Sequence, residues 1–64
     1  MCEFTVYVDG HEDENIVAQR VIKTIVKPEY VNLMTAEGKS VKVPNAYIAK
    51  VDTIMTELHL KTVA

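Results

Sequence analysis

Cys2 is the only cysteine in this chain of 64 residues, and it stands beside the amino terminus. A thiolate and an amine this close together can chelate one metal ion. A terminal cysteine closes a single ring on the ion, and a retained Met1 adds a deprotonated amide and a second, fused ring. Divalent nickel accepts a square-planar set of nitrogen and sulfur donors, whereas structural zinc prefers four tetrahedral ligands. The start of the chain therefore predicts a nickel or copper site at Cys2.

A chain that has lost Met1 supplies only two donors, so two chains meeting at a symmetry axis would complete a four-coordinate site. We therefore expect a homodimer with one ion for each pair of chains. Both donors must lose a proton to bind the metal, so the affinity should fall as the pH drops. The thiolate is also easily oxidised, which suits a reducing or anaerobic setting. The alternative is that Cys2 is simply a small buried hydrophobic residue at a strand end.

The two histidines are the other side chains that commonly bind transition metals. His11 precedes the acidic run 12–14, a pattern typical of a solvated loop. His59 lies between Leu58 and Leu60, which predicts that its side chain is on the exposed face of a strand, opposite the leucines. We interpret both histidines as surface residues and leave them out of the predicted site.

Composition argues against several classes of function. The net charge is -2, from 7 basic and 9 acidic residues, and gives little attraction for phosphate backbones or anionic lipid. With two glycines there is no phosphate-binding loop, and no serine-nucleophile motif occurs, so we do not expect an enzyme. No apolar run approaches the roughly 20 residues of a bilayer span, and no leader sequence is evident, which predicts a cytoplasmic protein.

A second interpretation is a small RNA-binding barrel that stacks bases on aromatic side chains and holds phosphates with basic ones. The residues that would form such a face are Tyr7, Tyr30, Tyr47, Arg20, Lys23, Lys27 and Lys42. Because the chain is acidic and has no basic run, we favour metal binding over RNA binding.

Six short strands are predicted to position these residues. Apolar alternation and turn residues indicate strands at about 3–8, 19–27, 30–35, 40–43, 47–51 and 57–61. Short strands joined by tight turns are typical of a small barrel. We expect one domain over residues 1–64, and a domain of this size buries only about 60% of its unfolded surface. Dimerisation or metal binding is the expected source of added stability.

The segment 15–27 is consistent with either of two secondary structures. Val17, Val21 and Ile25 recur every four residues, as on one face of a helix. The segment is also dense in β-branched side chains, which suit a strand better. We favour the strand, preceded by a single helical turn.

Four segments resemble the CooT family of small nickel-binding accessory proteins. They are Met1-Cys2, Val6-Tyr7-Val8, residues 36–39 (AEGK) and residues 43–52 (VPNAYIAKVD). The resemblance spans nearly the whole chain and implies an all-β, SH3-like barrel that forms a homodimer. It also implies that Cys2, the cysteine after the initiator methionine, binds Ni(II).

The same resemblance implies a role for the protein, as a carrier, store or sensor of nickel. It would assist maturation of a nickel enzyme, the nickel-dependent carbon monoxide dehydrogenase of anaerobes. Members of this family have also been labelled predicted RNA-binding proteins, which is the basis for keeping the RNA alternative.

Overall fold

Six strands and one short 3-10 helix form the fold. The computed structural model describes residues 2–63. In chain order the elements are β1 (Phe4–Val8), the 3-10 helix (Asp13–Asn15), β2 (Ile16–Val26), β3 (Tyr30–Thr35), β4 (Ser40–Pro44), β5 (Ala46–Asp52) and β6 (Glu57–Thr62). No helix in this described range is long and apolar enough to cross a bilayer.

The strands form one sheet in the order β4-β3-β2-β1-β6-β5. Neighbouring strands are antiparallel except β1 and β6, which run parallel. Strand β5 lies at one edge of the sheet and also approaches β3, so the sheet curls around its own apolar face. The predicted fold class, a small SH3-like barrel of about six short strands with one helical turn, is confirmed.

Alternation along the strands produces the core. On β3, Val31, Leu33 and Thr35 are buried, and the residues between them are half-buried. Strand β6 buries Leu58 and Leu60, and Glu57 and His59, which alternate with them, are half-buried on the opposite face. The buried hydrophobic residues are Val6, Ala18, Val21, Val31, Leu33, Val43, Leu58 and Leu60. These residues form a single cluster on the inner face of the barrel. The polar side chains lie on the outer face.

Strand β2 is longer than predicted, because it begins at Ile16 rather than at residue 19. Ala18 and Val21 are both buried, although their spacing of three residues breaks the two-residue alternation of a strand. Arg20, between them, has a positive φ of 57°, and the pairing with β3 shifts register just after it. This irregularity resets which side chains face the core and explains why the first part of β2 did not look like a strand.

The parallel pairing of β1 with β6 places the first and last strands of the described residues side by side. Beyond the end of β1, the carboxylate of Asp9 accepts hydrogen bonds from the backbone N–H of Thr62, at 2.9 Å, and from its hydroxyl, at 2.5 Å. Within the pair, Thr5 lies beside Glu57 and Tyr7 lies beside His59. The outer face of this strand pair therefore carries an aromatic ring, a carboxylate and an imidazole side by side.

Candidate functional site

The predicted metal ligand, Cys2, is exposed and carries a free thiol. The alternative prediction, that Cys2 is a small buried hydrophobic residue at a strand end, is wrong for the single chain. The reason is that β1 begins at Phe4, so Cys2 precedes the strand and does not follow its alternation. Met1, which would add the amine or amide donors, lies outside the described residues.

The residues after Cys2 connect it to the body of the barrel. Glu3 accepts a hydrogen bond from Nε of Arg20 at 3.3 Å, and Arg20 also pairs with Glu37. These two carboxylates raise the pKa of Arg20 further above its usual value, chiefly through the hydrogen bond and charge of Glu3. Phe4 follows and is half-buried against the core. The start of the chain is thus held on the barrel surface by an ion pair and an aromatic side chain.

An apolar groove begins at Phe4, two residues after Cys2. Its walls combine residues of β1, β2, β5 and β6: Phe4, Val21, Ile22, Lys23, Thr24, Ile48, Val51 and Leu58. Several of its aliphatic side chains are unusually exposed, with Val51 at 54% and Ile22 at 41%. An exposed apolar surface of this kind is typical of a protein–protein contact.

A second cluster of metal-binding side chains lies on the outer face of β1 and β6. Nε2 of His59 is 3.0 Å from Oε1 of Glu57, and Nε2 of His11 is 3.2 Å from the same oxygen. One ligand atom from each of the three residues lies within 4.8 Å of the other two. We name these three residues the histidine cluster.

The ring of Tyr7 supports the histidine cluster from β1. It stacks on His59 with ring centroids 4.9 Å apart and 7° between the planes. His11 tilts against the same tyrosine at 5.1 Å, and the two imidazoles are also 5.1 Å apart. Three rings and one carboxylate therefore pack as a unit.

Burial and charge in the cluster shift the pKa values of two side chains, Glu57 and Tyr7. The hydrogen bond from His59 lowers the pKa of Glu57 below its usual value, and the contact with His11 adds to the effect. The pKa of Tyr7 is raised, first because the ring is partly removed from water and then by the charge of Glu57 and of Asp13. Glu57 is thus held as a carboxylate and Tyr7 as a neutral phenol.

Sequence reasoning missed this cluster. It placed His59 on an exposed strand face, but the side chain is only 14% exposed, because the Tyr7 ring and His11 cover that face. His11 was expected in a solvated loop, and its side chain is indeed 65% exposed, yet it reaches back over the sheet to Glu57. The available signal was that Glu57 and His59 are two residues apart on one strand and so share a face.

The aromatic and basic residues of the RNA alternative are dispersed. Tyr7, Tyr30 and Tyr47 lie on β1, β3 and β5, which are not neighbours in the sheet. Tyr30 is covered by the ammonium of Lys42, 4.3 Å from the ring centroid. Arg20 is paired with two carboxylates and is therefore not free to bind a phosphate. None of these contacts supports RNA binding, which stays a prediction.

The fold and its surface donors define a small barrel protein with a thiol at its start and paired imidazoles on one face. The model of the family described as CO dehydrogenase accessory protein CooT matches residues 1–61. The chain therefore belongs to the CooT family, and with it to the accessory proteins of CO dehydrogenase rather than to the enzyme itself.

A solved structure has the same fold. It is the crystal structure of a protein from Carboxydothermus hydrogenoformans that is assigned as CooT, with a TM-score of 0.82 and 22% sequence identity. The match covers 98% of this chain and 100% of that one. No curated protein matches the sequence.

Proposed function

We propose that this protein binds Ni(II) through Cys2 and delivers, stores or senses it during maturation of carbon monoxide dehydrogenase. The observation that carries the proposal is the free, exposed thiol at the start of a chain that belongs to the CooT family. A thiolate needs no rearrangement of the barrel to reach a metal from this position. The family membership supplies the enzyme that the metal would serve.

In a chain that has lost Met1, a second chain would complete the ligand set at Cys2. One thiolate with the terminal amine gives two donors, and a square-planar ion accepts four. A two-fold axis beside Cys2 would bring an identical pair of donors to the same ion. The ion then bridges two protomers and can leave when the dimer opens or when a competing protein thiol replaces Cys2.

The apolar groove supports a dimer at this end of the barrel. It starts at Phe4 and exposes Ile22, Ile48 and Val51, whose burial against a second copy would remove aliphatic surface from water. β5 is an edge strand and carries two of these residues. A contact formed here would hold two chain starts close to each other.

The experiment compares wild-type protein with Cys2→Ser in anaerobic buffer. Nickel bound by a thiolate gives a charge-transfer absorption, and we expect this band to saturate at one ion for every two chains. Cys2→Ser should abolish the band and leave the far-ultraviolet circular dichroism unchanged. The matched control is the double variant His11→Ala/His59→Ala, which should keep it. A band that persists in Cys2→Ser would disprove ligation by Cys2.

A further inference from the structure

The histidine cluster is not needed for ligation by Cys2. Its three side chains offer three metal ligands of their own. We propose that His11, Glu57 and His59 form a second site for a divalent transition metal, built within a single chain. The ligand set is two imidazole nitrogens and one carboxylate oxygen. It suits zinc, nickel, copper or iron, whereas calcium and magnesium prefer oxygen donors alone.

Two of the three donor–donor distances, those to the Glu57 oxygen, already match the distances between neighbouring ligands of one ion. With metal–ligand bonds of about 2.1 Å, adjacent donors lie about 3.0 Å apart at a right angle and about 3.4 Å apart at a tetrahedral angle. In the cluster, Nε2 of His59 and of His11 lie 3.0 and 3.2 Å from the Glu57 oxygen. All three ligand atoms lie within 4.8 Å of one another, so rotation of the side chains would bring them to a common ion.

The hydrogen bonds in the cluster define what the ion must replace. A carboxylate only accepts hydrogen bonds, so both imidazoles donate Nε2–H to the same Glu57 oxygen. Metal binding requires each Nε2 to present its lone pair, with the ring proton moved to Nδ1 or released to solvent. One cation then takes the place of two shared protons between the same three residues.

The scaffold holds the ligands before any ion arrives. Glu57 and His59 occupy alternate positions of β6, and their side chains are only 15% and 14% exposed. The Tyr7 ring fixes the plane of His59 by stacking. Ligands whose orientation is fixed by neighbouring groups bind a metal more tightly than free side chains do.

The loop that carries His11 is also braced. The amide of Asn15 donates to the carbonyl of Val8 at 3.1 Å, and its Oδ1 accepts the backbone N–H of Glu12, also at 3.1 Å. One side chain thus ties both flanks of the loop to the end of β1. His11 is the most exposed ligand and sits where it can close over an arriving ion.

Three protein ligands leave at least one coordination position open. A surface pocket is lined by the two histidines and also by Lys50 and Lys61. Lys50 lies opposite His59 in the β5–β6 pair. Basic side chains beside an open metal position would attract a small anion as the remaining ligand. The site therefore has the character of an exchangeable site rather than of a closed structural one.

The test uses the full chain with Cys2→Ser, which removes the thiol site and isolates the histidine cluster. Equilibrium dialysis against Ni(II) and, separately, Zn(II) should give one ion per chain for at least one of the two metals. Adding His11→Ala and His59→Ala to this background should weaken binding at least about 100-fold. Adding Glu57→Gln should also weaken it, whereas Glu37→Gln, a matched change at a carboxylate that pairs with Arg20, should not.

A spectroscopic readout locates the ion independently of affinity. The chain has two histidines, so a proton–carbon correlation spectrum shows two imidazole Cε1–H signals, one from each residue. Zinc should shift both of them together, in proportion to the ion bound. A Cys2→Ser protein that binds neither metal would overturn the proposal, as would binding that survives loss of both histidines.

These outcomes are separate from those for Cys2. If wild type binds nickel and Cys2→Ser binds neither metal, the thiol site stands and the histidine site is refuted. If Cys2→Ser retains one ion per chain and the thiolate band is absent from wild type, the histidine site stands and ligation by Cys2 is refuted. If both signals occur, wild-type protein should bind three ions per dimer.

Discussion

The ring of Tyr7 lies parallel to the imidazole of His59, with 7° between the planes and 4.9 Å between the centroids. The two residues are register partners in the parallel β1–β6 pair, so backbone pairing sets their separation. The sheet therefore places the two side chains next to each other on one face, where their rings stack.

Removing this ring should weaken the proposed histidine site without removing a ligand. In the Cys2→Ser background we expect Tyr7→Leu to lower zinc affinity by about 10-fold, because the His59 imidazole gains rotational freedom. Tyr7→Phe keeps the ring and should bind as the parent does. Tyr47→Leu, at an exposed tyrosine on β5, is the matched control. Equal zinc affinity in Tyr7→Leu and Tyr7→Phe would show that stacking is irrelevant.

The apolar groove should control dimerisation. A charge at Val51, inside the groove and 54% exposed, would have to be buried without a partner in the proposed dimer. We expect Val51→Lys to be monomeric by light scattering and to lose the thiolate–nickel band. Val26→Lys places the same charge at a residue that is 57% exposed and outside the groove. If both variants have the mass of wild type, the groove is not the interface.

The core tolerates little loss of volume. Leu33 is fully buried, and truncation to alanine would leave a cavity at the centre of the barrel. We expect Leu33→Ala to lower the free energy of unfolding by about 2–5 kcal/mol, which is much of the stability of so small a domain. Urea denaturation monitored by circular dichroism measures this. Ile54→Ala, at a side chain that is 90% exposed, should change the free energy by less than about 0.5 kcal/mol.

The Asp9–Thr62 contact should make the stability of the fold depend on pH in the acidic range. Hydrogen bonds from the Thr62 hydroxyl and backbone N–H lower the pKa of Asp9 in the folded protein. A carboxyl with a lowered folded pKa stabilises the fold above its unfolded pKa of about 3.9, and this contribution is lost as the pH falls through the folded value.

Asp9→Asn should therefore unfold with a shallower dependence on pH below about 4 than wild type does. Thermal unfolding at several pH values gives this slope. Glu14→Gln, at an exposed residue of the 3-10 helix, should keep the wild-type slope. A slope in Asp9→Asn equal to that of wild type would contradict this account of the contact.

Most of the fold was predictable because most of the strands obey a two-residue alternation. The segment 30–35 alternates without interruption, and the structure has β3 over those residues. The exception is β2, where Arg20 adopts a positive φ and shifts the phase of the pattern. A single residue in an unusual backbone conformation leaves no clear mark in a sequence, since arginine has no preference for it.

The site was less predictable, because its parts are distant in the sequence. His11 and Glu57 are 46 positions apart, and only the parallel β1–β6 pairing brings them into contact. Antiparallel hairpins can be anticipated from local turns, but a parallel pairing between the first and last strands has no local signal. At Cys2, the residue type suggested metal binding, whereas its orientation depended on where β1 begins.

The pairing of the first strand with the last also dictates when this protein can become functional during its synthesis. Until β6 has left the ribosome, β1 has its β2 partner but lacks the neighbour on its other side, and closing so long a loop is entropically costly and slow. The nascent chain already presents its thiol, whereas His59 can meet His11 only once β6 has paired with β1. The apolar groove also takes Leu58 from β6, so both proposed metal sites would be completed only after β6 has joined the sheet.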